Sequence, residues 1–185
     1  MQITVMPTPL KRLLVIEAEV FKDQRGFFME SYSKRDFSGV GIHDEFVQEN
    51  HSRSEKGVLR GLHYQNMQAP MAKLVRCTLG KVYDVAVDMR ATSLTFGQWF
   101  GVELSEENKK MLYVPVGFAH GFETISDTAD LQYRQTGYYA PGAEGTILWN
   151  DPDLNIPWPI QNPLLSAKDQ DGMSFAEYKR NPIFS

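Results

Sequence analysis

Between residues 82 and 89 the chain alternates with a period of two. Tyr83, Val85, Val87 and Met89 fall on one face, and Val82, Asp84, Ala86 and Asp88 on the other. Such a period marks an extended strand, because successive side chains leave a pleated backbone on opposite sides. Further strands are predicted over residues 74–79, 96–104, 111–116, 118–125 and 129–139. Turn chemistry separates them: Gly80 between Leu79 and Lys81, Pro115-Val-Gly117, Ser126-Asp127 and Pro141-Gly142. Many short strands at this spacing predict an antiparallel sandwich or barrel. Helical signals are few. Ser174, followed by Glu177, fits a capping box before a short C-terminal helix, and residues 34–37 make one turn. Residues 150–163 are rich in proline and tryptophan and read as a packed extended segment, since Trp149, Ile156 and Trp158 need burial. No repeat or linker divides the chain, so one domain over residues 1–185 is expected.

Composition narrows the function. Of 185 residues, 42 % are hydrophobic and 12 % aromatic, enough to bury a core. A net charge of −4 argues against a nucleic-acid binder, which needs a basic surface to displace counterions. A few placed arginines still bind a diphosphate inside an acidic protein. Cys77 stands alone, so neither an intrachain disulfide nor a cysteine zinc cluster forms, and its setting reads as a buried strand thiol. The first residues lack the basic start and apolar centre of a secretory signal, and no apolar run approaches the ~20 residues of a membrane span. A soluble, cytoplasmic protein is expected.

Chemistry concentrates in two runs. Residues 57–65 place Arg60 and His63 among Gly57 and Gly61, and residues 117–123 place His120 between Gly117 and Gly121. Arg60, His63, Lys73, His120 and Tyr133 are expected to converge in the mouth of the barrel, where inward polar side chains meet. Arg60 and His63 are three apart, so a regular strand sends them to opposite faces; a bulge at Gly61 re-aims one of them. A neutral imidazole suits a proton acceptor near pH 7, against the plainer role of a structural histidine. Tyr133 shares a face with Leu131 and Gln135, as either a cavity phenol or a core tyrosine. Lys73 opens a strand, as either an oxyanion partner or a lysine guarding a sheet edge. His120 shares its face with Phe118 and Phe122, and Asp84 is a candidate partner for it. The metal-binding His-x-His pair is missing, because Tyr64-Gln65 follows His63; a site drawn from His43, His51, His63 and His120 has no supporting spacing, and no metal is expected.

Several segments occur together in order: Asp23-Gln-Arg-Gly-Phe-Phe-Met-Glu30, residues 57–65, Lys73-Leu-Val-Arg76, residues 82–90, Ser93-Leu-Thr-Phe-Gly97, residues 115–122 and Trp149-Asn-Asp-Pro152. This set resembles the dTDP-4-dehydrorhamnose 3,5-epimerase family. The resemblance implies an all-β, cupin-like jelly roll with a few short helices. It also implies an isomerase without cofactor that inverts carbons 3 and 5 of dTDP-4-dehydro-6-deoxy-D-glucose on the route to dTDP-L-rhamnose. Carried over by position, His63 held by Asp169 is the base, Lys73 stabilises the enolate and Tyr133 is the acid. Taken by itself, Asp169 reads as a solvated turn residue. Arg25 and Arg60 are implied as a diphosphate clamp, and Glu30, Gln48, Asn50, His120, Glu144 and Lys168 as further contacts to nucleotide and sugar. A homodimer whose sites are completed by the neighbouring subunit follows from the same resemblance. Leu94, where proline is usual, and Gly137-Tyr-Tyr139 depart from the family pattern. An epimerase acting at one carbon, or a non-catalytic sugar-nucleotide binder, are the alternatives.

Overall fold

The computed structural model describes residues 2–185, and two antiparallel sheets dominate it. The first contains β1 (Ile3–Pro7), β2 (Leu14–Ala18), β5 (Gln48–Glu55), β7 (Lys73–Leu79), β10 (Met111–Val114) and β12 (Thr128–Gln135). Their order is β1-β2-β10-β7-β12-β5. The second contains β6 (Leu59–Gln65), β8 (Lys81–Asp88), β9 (Trp99–Ser105), β11 (Phe118–Thr124) and β13 (Glu144–Thr146), in the order β13-β6-β11-β8-β9. A separate hairpin pairs β3 (Val20–Asp23) with β4 (Gly26–Met29). Among the described residues there are also three short α-helices, α1 (Lys34–Gly39), α2 (Ala167–Gln170) and α3 (Phe175–Tyr178), and a 3-10 turn at Pro141–Ala143.

The alternation of β8 has a physical purpose on both faces. Val82 and Ala86 point between the sheets, where they meet Val75, Leu112 and Leu131 from the first sheet and Leu104, Phe118 and Phe122 from the second. Val85, Val87 and Met89 point outward and would be exposed without the C-terminal segment, which covers them with Ile156, Trp158, Phe175, Tyr178 and Phe184. Burying each such side chain contributes about 1.5–3 kcal/mol. The indole N–H groups keep their partners: Trp158 donates to the Trp149 carbonyl at 2.7 Å and Trp99 to the Leu154 carbonyl at 2.9 Å. The expected packing of residues 150–163 is therefore observed. A third cluster covers the outer face of the first sheet, where Phe37 of α1 and Ile42 meet Ile16, Leu74 and Met111.

Element ends follow local chemistry. Ser174 accepts from the Glu177 amide at 3.1 Å and starts α3, and Ser33 caps α1 in the same way. The strand expected from residue 96 begins instead at Trp99, because residues 93–98 close turns and Gly97 takes φ +77°. The strand expected over 129–139 ends at Gln135, short of Gly137. β5 escaped the hydrophobic pattern altogether. Its inward side chains are Gln48, Asn50, Ser52 and Ser54, and its outward ones are Glu49, His51, Arg53 and Glu55. Burial alternates along it while polarity does not. Among the described residues no helix is long and apolar enough to cross a membrane.

The bulge at Gly61 is present. On β11 His120 and Phe122 are two apart, while their partners on β6, His63 and Arg60, are three apart. β6 therefore carries the extra residue, and Arg60 and His63 line the same cavity. Gly61 takes φ +140°, and a Cβ there would lie 2.5 Å from the Gly121 Cα. A Cβ on Gly121 would lie 2.8 Å from the Arg60 carbonyl oxygen. Overpacking of this kind costs about 1–3 kcal/mol. Gly121→Ala is accordingly expected to lower Tm by about 2–10 °C in differential scanning calorimetry; a wild-type Tm would show that the two strands do not need this approach.

Candidate active site

Where the two sheets diverge, a cavity of about 640 Å³ opens, within the range of small-ligand sites. His63 from β6 lines it, and its Nε2–H donates to Asp169 Oδ1 at 2.5 Å. That leaves Nδ1 as the nitrogen with a free lone pair. Asp169 is only 3 % exposed, on α2, whose cap Ser166 donates from Oγ to the second carboxylate oxygen at 2.7 Å. Burial by itself would raise the Asp169 carboxyl. The hydrogen bonds from His63 and Ser166, with Lys168 nearby, outweigh it and hold the group below the usual range.

The position of α2 is decided by backbone pairing on both sides. Leu164 donates to the Gly57 carbonyl and accepts from the Leu59 amide, while Met173 donates to Thr146 and accepts from Leu148. The helix hangs between these anchors against β6, which brings Asp169 to His63.

Opposite His63 in the strand register stands His120. It is buried, and its Nε2–H donates to Asp84 Oδ1 at 2.8 Å, as the expected pairing required. Burial pushes this imidazole down and Asp84 only partly opposes that, so it is neutral at pH 7. The other oxygen of the wholly buried Asp84 has no hydrogen-bond partner among the described residues. Lys73 lies on the inward face of β7, half-buried at the same cavity. Its removal from water brings the ammonium down to about 8, against the attraction of Asp84 and Glu144. Tyr133, inward on β12 and packed on the apolar core, completes this group.

The cavity walls are hydrogen-bonding surfaces. Gln48 Nε2 donates to Asn50 Oδ1 at 2.9 Å and to Gln135 Oε1 at 3.0 Å, and Asn50 Nδ2 donates to the same Gln135 oxygen at 2.9 Å. At the mouth Glu144 accepts from Lys168 Nζ at 2.8 Å and from the Tyr139 hydroxyl at 2.9 Å. Burial would raise its carboxyl, but these two donors hold it low. Arg60 reaches Ser54 Oγ from Nε at 3.1 Å and stays exposed at the rim. Gln135, Tyr139 and Ser166 were not singled out from sequence. Gln135 shared the face of Tyr133, which was a usable signal; Tyr139 fell at the end of the strand expected over 129–139, which gave it no place in the cavity, and Ser166 lay in a segment without any periodic pattern.

Two expected residues lie elsewhere. Neither Arg25 nor Glu30 lines the cavity of its own chain. Arg25 sits at the tip of the β3–β4 hairpin with its side chain 85 % exposed, paired with Asp23 at 2.5 Å. The clamp expected from Arg25 with Arg60 is thus not assembled within one chain. Cys77 is buried, as expected, and burial pushes its thiol up to about 11. His51 bonds Asp130 at 3.1 Å, and among the described residues no group of three His, Cys, Asp or Glu side chains is arranged to hold a metal.

Residues 7–177 match the sequence model of the family described as dTDP-4-dehydrorhamnose 3,5-epimerase. The chain belongs to this family. The dTDP-4-dehydrorhamnose 3,5-epimerase of Shigella flexneri is 53 % identical over 174 residues, 94 % of this chain and 96 % of that protein. The crystal structure of the Elizabethkingia anophelis dTDP-4-dehydrorhamnose 3,5-epimerase superposes with a TM-score of 0.91 at 46 % identity, over 96 % of this chain and 98 % of that one. That of the Legionella pneumophila dTDP-6-deoxy-D-glucose-3,5-epimerase, in complex with dTDP-4-keto-L-rhamnose, gives 0.89 at 48 % identity over 94 % and 93 %. The fold is the cupin-like jelly roll of these epimerases, and the family's enzymes are isomerases.

The lowered Lys73 ammonium has a consequence for stability. The folded chain disfavours its charged form, so the destabilisation is fully present below pH 8 and fades as pH rises towards the ordinary lysine value of 10.5. Lys73→Met is expected to raise Tm at pH 7 by at least about 3 °C, with the gain shrinking above pH 8. An unchanged or lower Tm at pH 7 would contradict the buried charge.

Proposed function

We propose that this chain takes dTDP-4-dehydro-6-deoxy-D-glucose and inverts carbons 3 and 5, giving dTDP-4-dehydro-L-rhamnose for dTDP-L-rhamnose synthesis. The observation that carries the reading is the His63–Asp169 pair facing one cavity with Lys73 and Tyr133, in a chain of this family. Both carbons flank the substrate's ketone, which acidifies their protons, so no cofactor enters. His63 removes the proton through the nitrogen that Asp169 leaves free, and the carboxylate stabilises the imidazolium that results. Lys73 sits where a cation offsets the enolate oxygen; fixed charge in a site withdrawn from water is among the larger catalytic terms. Tyr133 returns a proton to the opposite face at carbon 5. His120 contacts the sugar, Gln48 and Asn50 present amides to the base, and Arg60, Glu144 and Lys168 take the diphosphate and sugar edge.

The active form in this proposal is a cytoplasmic homodimer, each protomer one epimerase domain. The β3–β4 hairpin supports it: Phe21, Phe27 and Phe28 are 50 %, 58 % and 65 % exposed, an apolar tip that suits burial against a second copy. The same hairpin would carry Arg25 and Glu30 to the neighbour's cavity, the place where the clamp with Arg60 becomes complete.

Incubation with the substrate in heavy water tests the chemistry by NMR. Deuterium is expected at carbons 3 and 5 with a rhamno-configured product, and His63→Ala should slow both exchanges by about 10²–10⁴-fold. In the same assay Tyr133→Phe loses carbon 5 while carbon 3 continues. Exchange at one carbon in the wild type would leave a single-position epimerase, and binding without exchange a non-catalytic module.

Complementation tests the shared site. Arg25→Ala and His63→Ala are each expected to be nearly inactive, and co-refolding them should recover roughly a quarter of wild-type activity, since random pairing leaves that share of sites intact. If the mixture stays as inactive as its parts, Arg25 does not serve the partner.

A further inference from the structure

We propose that Ser166 is a positioning residue for the proton-abstracting pair: its hydroxyl fixes the Asp169 carboxylate so that the opposite oxygen stays aimed at His63. This role rests on the function proposed above and extends it to a residue outside the reacting groups.

The Asp169 carboxylate is free to rotate about its Cβ–Cγ bond unless its partners hold it. Its two oxygens are equivalent until something distinguishes them. Here Oδ1 accepts from His63 Nε2 at 2.5 Å and Oδ2 accepts from Ser166 Oγ at 2.7 Å. The Ser166 oxygen in turn accepts from the Asp169 backbone amide at 3.3 Å. One hydroxyl thus grips a single residue at both its backbone and its side chain, closing a ring that leaves the carboxylate one orientation. Asp169 is buried, so water does not readily supply the missing donor if the hydroxyl is removed. Nor is the serine free to drift, because Leu164 and Met173 pin the segment on either side.

The charged surroundings are few. His63 faces the carboxylate from β6, Lys168 lies beside it on α2, and Lys168 is itself engaged by Glu144 of β13. The Ser166 hydroxyl is among the groups that hold the Asp169 carboxyl below its ordinary range, second to His63 among its hydrogen bonds. Losing that donor moves the carboxyl upward. The base pair is then intact only at higher pH, so the acid limb of the pH–rate profile moves up with it.

A plain capping role has to be separated from this one. Ser166 also caps α2, and glycine keeps most of a cap while lacking the hydroxyl. The test therefore compares Ser166→Ala, Ser166→Gly and Ser166→Thr by two readouts. The first is deuterium exchange into the dTDP-sugar across pH; the second is the Asp169 carboxyl titration in the free protein, followed by carbon-13 NMR. Alanine and glycine are expected to lower kcat by about 10- to 100-fold with KM within about twofold, as for a small misplacement of a base, while threonine stays near wild type. Both should also raise the carboxyl midpoint and the acid limb together. An unmoved midpoint, a threonine variant as impaired as alanine, or a glycine variant that behaves as wild type would each overturn the role. A midpoint that moves in the alanine and glycine variants while the wild-type protein shows no exchange would instead overturn the epimerase reading and leave the Ser166 contact standing.

Discussion

His63 and Asp169 lie 106 residues apart in the chain and meet at 2.5 Å. That contact depends on nearly everything else in the structure. It requires the bulge at Gly61, which turns His63 into the cavity beside Arg60. It requires the close approach of Gly61 to Gly121, which no side chain would permit. It requires the C-terminal segment to return across the second sheet, sealed there by Trp158, Phe175 and Tyr178. The apolar packing of the tail and the polar geometry of the site are therefore one problem. A residue such as Tyr178, whose hydroxyl donates to the Met89 carbonyl at 2.9 Å, stabilises the same tail from which Asp169 hangs.

The space between the sheets serves two purposes. At one end Val75, Leu112, Leu131 and Phe118 fill it and exclude water. At the other end the same strands turn polar, and Lys73, His120, Tyr133 and Gln135 line a cavity. Continuity between the two ends sets the electrostatics. Lys73 and His120 lose hydration because the apolar core is their neighbour, which brings the ammonium to about 8 and keeps the imidazole neutral. Asp84 and Glu144 attract the Lys73 ammonium, and Asp84 the His120 ring, without cancelling the effect of burial on either. Under the proposed function, a site so arranged takes an anion near its mouth and handles protons at its base.

Much of this was legible in the residues, and unevenly so. β8, β7, β10 and β11 announce themselves because each packs at least one apolar face, and the alternation that records this is a local property. β5 does not, since its inward row of Gln48, Asn50, Ser52 and Ser54 is polar throughout, and Gln48 and Asn50 line the cavity. The likeness to a known family pointed to Asp169, which by its own chemistry looked like a turn residue, and the fold shows it buried against His63. Ser166 carried no signal at all, because its importance lies in the residue three positions on. Arg25 carried a signal without a location: the motif is clear, yet the hairpin that bears it points away from its own cavity.

Local patterning was enough for the strand-rich architecture, the serine-capped C-terminal helix, the helical turn at residues 34–37, the burial of Cys77 and the packing of the proline- and tryptophan-rich tail. These follow from spacing and composition, which act over a few residues. Only the tertiary structure decided which side chains share a face after the Gly61 bulge, where α2 hangs, and how far burial shifts Lys73 and His120. Those outcomes depend on contacts between different strands and loops and on the water that such contacts exclude. No local pattern encodes either.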